Sequence, residues 1–382
     1  MSILNALYLS RQTTAAFMVI GFFWGSFAAY VPVIKAQLGA NDAMFGTLLL
    51  GSATGLVSSM WLAPRVDRWL GVRGMQAATA LLVVAWLLPG WMSVPFFFAL
   101  SMAFVGLASG LLDVIMNARV SELEAKHRRP LMSANHAMFS VAYAIAALVV
   151  GVTREAGIAP APVFAGFGLV ALCLIPMMRL EVAQVAAADG YQGRYPLWPI
   201  LLCGAIVLVA FMSEATVEAW SALHLERTLG GRAAEGALGP AMLGLTMAVG
   251  RFSGQAVAAR LPEIAVVSWA AMITAIGAVI AALAPTTLVA YLGFGILGLG
   301  VSVIGPMGLA LVGKLVAPHL RTEAIGRVAV IGFSGFFFAP VAMGFMSEAF
   351  GLRVAFLGVA VLVLSTVLIA QALRKYPAVT PA

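Results

Sequence analysis

Charge is scarce in this chain: Asp, Glu, Lys and Arg make up 10% of its 382 residues, against roughly 25% in an ordinary soluble protein. That scarcity excludes a soluble globular enzyme. Cysteine occurs twice, as Cys173 and Cys203, each inside an apolar run with no second ligand type nearby. No disulfide framework or thiolate metal site is therefore expected. The sequence also lacks a His-Glu-x-x-His zinc motif and a nucleotide-binding P-loop, and neither a metal nor a cofactor is expected. What is abundant is apolar surface: 62% of the residues are hydrophobic, accompanied by 39 Gly and 18 Pro. Runs of ~20 apolar residues span a bilayer, and Gly and Pro are more at home in packed membrane helices than in water-soluble ones. The composition thus implies an integral membrane protein. Arg11 leads straight into a full-length apolar segment, so no cleavable signal peptide is expected.

Twelve apolar runs follow: 13–34, 43–63, 75–92, 95–118, 131–152, 161–178, 197–224, 238–259, 265–284, 287–312, 324–346 and 354–373. The connections between them are short and leave no room for a soluble domain. With the N-terminus inside, seventeen Lys and Arg fall in inner segments, Arg119 and Arg251 among them, and five fall in outer loops: Lys35, Arg154, Arg227, Arg232 and Arg353. Positive residues are retained on the cytoplasmic side, so both termini are expected in the cytoplasm. The same bias accounts for the net charge of +7 without any nucleic-acid partner.

The chain carries a weak internal repeat. A slide of about 195 residues lays Gly55–Arg65 over Gly250–Arg260, matching Gly55 to Gly250, Ala63 to Ala258 and Arg65 to Arg260. A similar slide lays Phe139-Ser140 over Phe333-Ser334. Twelve runs with this repeat predict an all-α protein of two pseudo-symmetric six-helix bundles, residues 1–178 and 197–382, joined by a cytoplasmic linker at 179–196. A substrate site between two such halves is a recurring transporter plan.

The connection after the second run, Ala63-Pro64-Arg65-Val66-Asp67-Arg68-Trp69-Leu70-Gly71-Val72-Arg73, resembles the loop 2–3 signature of the major facilitator superfamily. It departs from that signature at its first position and by one extra residue between Arg68 and Gly71. The resemblance implies an inner gate built on Asp67, Arg68, Gly71 and Arg73, with Asp67 accepting from helix-end N–H groups or pairing with an Arg. Three further stretches, Gly106–Ala118 followed by His136–Ser140, Ser213–Leu225 and Ile331–Gly344, are similar to the fucose-permease group and its bacterial rhizopine-transporter-like branch. That group carries a carboxylate eight residues after a Trp-Gly pair in the first span; here the pair is Trp24-Gly25 and the eighth position is Pro32. The resemblance implies a multi-pass, monomeric transporter of the bacterial inner membrane, moving a sugar, cyclitol or similar small solute.

A charge in hydrocarbon costs ~2.5–3.5 kcal/mol on insertion scales, so an intramembrane carboxylate is by default a functional-site candidate. Three qualify: Asp113, Glu214 and Glu218. Asp113 and Asn117 share a helix face four residues apart, and His136 on the next span is expected at a similar depth, ~8 Å from the inner end. Glu214 and Glu218 form a second group, with Glu214 ~25 Å from the inner end of its span. Two acids one turn apart in a low dielectric repel strongly when both are charged, which suits proton carriage. The candidate proton-coupling set is therefore Asp113, Glu214, Glu218 and His136. Rings stack on solute faces while their polar edges bond hydroxyls, which adds Trp24, Tyr30, Tyr143, Trp220 and Tyr291, with Asn117, as candidate substrate contacts. The expected activity is alternating-access secondary transport coupled to protons. Export of an amphipathic compound or metabolite, or a non-transporting membrane sensor, are the other readings of the same features.

Overall fold

The computed structural model describes residues 3–180, 196–258, 261–317 and 320–376. Among these residues the backbone is almost entirely helical, and no strand occurs. The first half of the chain forms α1 (Ile3–Leu9), α2 (Arg11–Gln37), α3 (Asp42–Leu48), α4 (Leu50–Leu70), α5 (Gly74–Trp86), α6 (Pro95–His127), α7 (Met132–Glu155) and α8 (Pro160–Leu174). The second half forms α9 (Leu197–Leu223), α10 (Ala233–Ala258), α11 (Glu263–Leu283), α12 (Thr287–Leu315), α13 (Arg321–Phe333) and α14 (Gly335–Ala372). The expected linker at 179–196 lies, apart from its ends, outside the described residues, as do Arg194 and Arg260.

Among the described residues, nine helical stretches are long and apolar enough to cross a bilayer. Two of them, Asp42–Trp91 with 50 residues and Glu323–Lys375 with 53, would each extend to about 75 Å or more if straight, far beyond a ~30 Å hydrocarbon core. Each instead turns back at a glycine with left-handed backbone, Gly71 (φ +51°) in the first and Gly351 (φ +79°) in the second, a conformation that a Cβ would penalise. With both arms of these stretches and with α10, every apolar run read from the sequence falls on helix. Helix starts follow local chemistry. The Asn41 side chain accepts from the Met44 N–H at 2.8 Å to cap α3, and Pro95 and Pro160 open α6 and α8, where a missing N–H costs nothing.

Lipid offers no hydrophobic drive between helices, so close packing relies on small residues. Here α4 crosses α6 with Gly55 and Gly106 at the contact: a Cβ on Gly55 would sit 2.0 Å from the Ala103 carbonyl oxygen, and one on Gly106 only 1.9 Å from that of Ser52. In the second half, α10 and α11 approach α12 in the same way, at Gly298 and Gly300. The most extensive contacts between the halves are α10 against α7 and α14 against α3, with α9 and α10 also meeting α2 and α14 meeting α4. The face holding the α2–α3, α7–α8 and α9–α10 connections is termed the Asp42 face, and the one holding the ends of α4 and α6 the Asp67 face.

Candidate functional site

A cavity of about 200 Å³ lies between the halves. The first half contributes Trp24 and Phe27 from α2, Ser52 from α4, Ser109 and Asp113 from α6 and Phe139 from α7. The second contributes Glu214 and Glu218 from α9, with Phe333, Phe336 and Pro340 from α13 and α14. All three intramembrane carboxylates therefore face one space, not the two groups at different depths expected from the sequence. The reason is the length of α6. Its polar final turns continue to His127, so Asp113 lies about 21 Å from the helix end, not ~8 Å.

Behind that wall stands Arg251, which the sequence reading assigned to an inner segment. It lies within α10, 11% exposed, and one guanidinium nitrogen donates to Glu214 Oε1 at 3.1 Å. The other donates to Ser140 Oγ of α7 at 2.5 Å and to the His136 carbonyl at 3.4 Å, while the guanidinium sits 5.8 Å from the centre of the Phe139 ring. One arginine thus links an acid of the second half to the backbone and a hydroxyl of the first. Its signal in the sequence was faint: a charge thirteen residues into the apolar run 238–259.

The remaining predicted residues divide. Asn117 donates to the Asp113 carboxylate at 3.1 Å and to its carbonyl at 2.8 Å. His136 lies only about 6 Å from the start of α7, its ring edge-on to Phe17 at 4.8 Å; among the described residues no hydrogen bond joins it to Asp113. Trp24 lines the cavity and meets Trp86 edge-on at 5.3 Å. Tyr143 is 1% exposed, with a buried hydroxyl lacking a hydrogen-bond partner, within electrostatic reach of Glu218 and Glu214.

Three rings expected at the site are elsewhere. Tyr30 is fully buried and its hydroxyl donates to the Ile158 carbonyl at 2.9 Å, tying α2 to the α7–α8 turn. Trp220 is fully buried against Phe45 of the opposite half, with ring centres 6.1 Å apart. The Tyr291 hydroxyl donates to the Glu235 carbonyl at 3.1 Å, near the start of α10. In helices apolar all round, periodicity does not indicate which way a ring faces.

The two faces differ. On the Asp42 face, Asp42 is 2% exposed and receives Arg227 of the second half at 2.5 Å, Lys35 at 3.0 Å and the Ser347 hydroxyl. Beside it, Arg154 pairs with Glu226 across the halves through two bonds of 2.7 and 2.9 Å, a bidentate geometry that suits guanidinium. Backbones close the same face: a Cβ on Gly46 would lie 2.2 Å from the Pro340 carbonyl oxygen, and one on Gly344 2.6 Å from that of Asp42. At the Asp67 face, the pairs Asp67–Arg119 at 2.5 Å and Lys314–Glu263 each stay within one half. Asp67 does meet an arginine, but one of its own half, and Gly74 leaves the space its carboxylate needs, since a Cβ there would be 2.9 Å from Asp67 Oδ1. Gly71 provides the left-handed residue ending α4, whereas Arg68 and Arg73 are exposed.

Helices folded back on themselves, packed on glycine and enclosing an acidic cavity between two halves, can be compared with known proteins. The family model described as Major Facilitator Superfamily matches residues 202–382. An uncharacterized MFS-type transporter of Yersinia pestis is 28% identical over 96% of this chain and 97% of its own. The chain is similar to transporters of the major facilitator superfamily. Its fold is that of solved transporters: a bacterial homologue of the human lysosomal transporter Spinster, inward-facing and unoccupied, superposes with a TM-score of 0.77 over 99% of both chains at 16% identity. A D-xylose-proton symporter superposes with a TM-score of 0.75 over 98% of both chains at 15% identity.

Proposed function

We propose that this chain is a transporter of the major facilitator superfamily that moves a small polar solute through the central cavity by alternating access, driven by protons. The observation that carries this reading is the single cavity whose wall is drawn from both halves and holds Asp113, Glu214 and Glu218 together. A site divided between two rocking bodies is exposed to one side of the membrane at a time. Carboxylates held away from water are natural carriers of the driving proton. About 200 Å³ is below the usual range for drug-sized ligands, which suits a compact solute. A sugar or cyclitol is supported by the similarity of Ser213–Leu225 and Ile331–Gly344 to the fucose-permease group, and a structural neighbour is named a D-xylose-proton symporter.

The bias of Lys and Arg supports a cytoplasmic Asp67 face and a multi-pass monomer in the bacterial inner membrane with both termini inside. In that orientation the cross-half contacts of Asp42 and Arg154 shut the outer side, and the conformation is inward-facing. Coupling rests on Arg251, which ties the charge of Glu214 to Ser140 of the other half; a proton on Glu214 weakens that tie and frees the halves to move. The test is uptake of radiolabelled sugars and cyclitols into proteoliposomes under an imposed pH gradient. Accumulation that collapses with a protonophore is the expected result. Uptake indifferent to the gradient would remove the proton from the cycle.

A further inference from the structure

We infer that the solute taken by this cavity is a small organic cation, an amine bearing hydroxyls or a compact ring, in preference to a neutral polyol. The inference rests on the cavity being the transport site proposed above. Three carboxylates face the cavity, and its lining among the described residues includes no Lys, Arg or His. Of the three, only Glu214 forms an ion pair among the described residues, with Arg251 at 3.1 Å; that arginine also donates to Ser140 at 2.5 Å and stands within electrostatic reach of Glu218. Asp113 has the neutral amide of Asn117. Glu218 has neither ion pair nor hydrogen bond within the described residues. Three acids sharing a single arginine, inside a membrane protein, form a receptor for positive charge.

Hydrogen-bonding capacity points the same way. The wall hydroxyls of Ser52 and Ser109 donate to carbonyls of Leu49 and Gly106, at 2.8 and 3.3 Å. They present only lone pairs to the cavity, as do ionised carboxylates. An ammonium group supplies donors and needs no acceptor in return. A polyol, whose hydroxyls accept as well as donate, finds few donors here beyond the Trp24 indole N–H. The Tyr143 hydroxyl, 1% exposed, has no partner and stands within electrostatic reach of Glu214 and Glu218. Aromatic walls complete the match: Trp24, Phe27 and Phe336 line the space, and ring faces attract cations, more so when desolvated. An anionic solute meets only repulsion.

The experiment uses the full-length protein in detergent, with glucosamine, choline and spermidine as cationic probes, and glucose, myo-inositol and gluconate as neutral and anionic ones. Binding is read by thermal shift and calorimetry. The expected result is saturable binding of at least one cation, at least tenfold tighter than any neutral or anionic probe, and lost in Glu218→Gln or Asp113→Asn. The comparison among probes on the wild-type protein holds even if a variant does not fold. A neutral or anionic probe binding as tightly as the cations overturns the inference, and so does binding of none of the six. If a polyol is accumulated under the pH gradient, the transport reading stands and the cation preference alone is wrong. If no solute is accumulated under any gradient, both fail.

Discussion

Arg251 of α10 and Glu214 of α9 are paired at 3.1 Å, and the second nitrogen of the same guanidinium donates to Ser140 in the other half at 2.5 Å. Breaking a buried pair from one side leaves a stranded charge and costs roughly 3–5 kcal/mol, whereas replacing both members is far milder. Arg251→Leu is therefore expected to lower the melting temperature strongly, and Arg251→Leu with Glu214→Gln to recover most of the loss. Thermal melts of the two variants and the wild type decide it. Equal melting of the single and double variants would mean that the pair does not hold the fold.

Asp113 and Glu218 lie in the cavity wall and form no ion pair among the described residues. Asp113→Asn keeps the volume and the Asn117 contact site, so the protein should express and melt as the wild type does. Gradient-driven accumulation should fall by about tenfold or more, which corresponds to ~1.4 kcal/mol of lost stabilisation. Proteoliposome uptake measures it, and wild-type accumulation in this variant would remove Asp113 from the mechanism.

Gly46 of α3 faces the Pro340 carbonyl so closely that a Cβ would stand 2.2 Å from its oxygen. Gly46→Val is expected to force the Asp42 face apart and shift the population toward the state open on that side. A single cysteine placed at Ala43, on the same short helix, should label several-fold faster with a membrane-impermeant maleimide in the Gly46→Val background. Unchanged labelling would show that this contact does not hold the face shut.

Asp67 pairs with Arg119 inside one half, and Arg119 retains Glu122 at 2.7 Å when Asp67 is lost. Asp67→Ala should accordingly cost about 1 kcal/mol, within the range for partly exposed pairs, as a small drop in melting temperature. Labelling at Ala43 should stay as in the wild type. A large change in labelling would make Asp67 a gate rather than a local brace.

The helices were legible because hydrocarbon thickness fixes the length of an apolar run, and that constraint survives any packing arrangement. The three acids were legible for a related reason, the energetic cost of a carboxylate in such a run. Depth was not. Asp113 was set near a helix end because the apolar signal fades after residue 118, yet α6 continues nine residues further on polar turns. Arg251 is illegible in the sequence because a lone arginine in the inner part of an apolar run reads as an orientation charge, and only the fold brings Glu214 and Ser140 to it. Tyr30 and Trp220 were set at the site because of their chemistry, but the rotation of their helices decided otherwise, and an evenly apolar helix carries no record of its rotation.

Asp42 is where donors from three segments converge, Lys35 from its own half and Arg227 and Ser347 from the other. This makes the Asp42 end of the closed face a hub with spokes, set beside the separate Arg154–Glu226 clasp. Removing any one spoke leaves the other two attached. Removing the hub disconnects all three together, so tolerance to substitution around Asp42 should be generous among its donors and minimal at Asp42 itself.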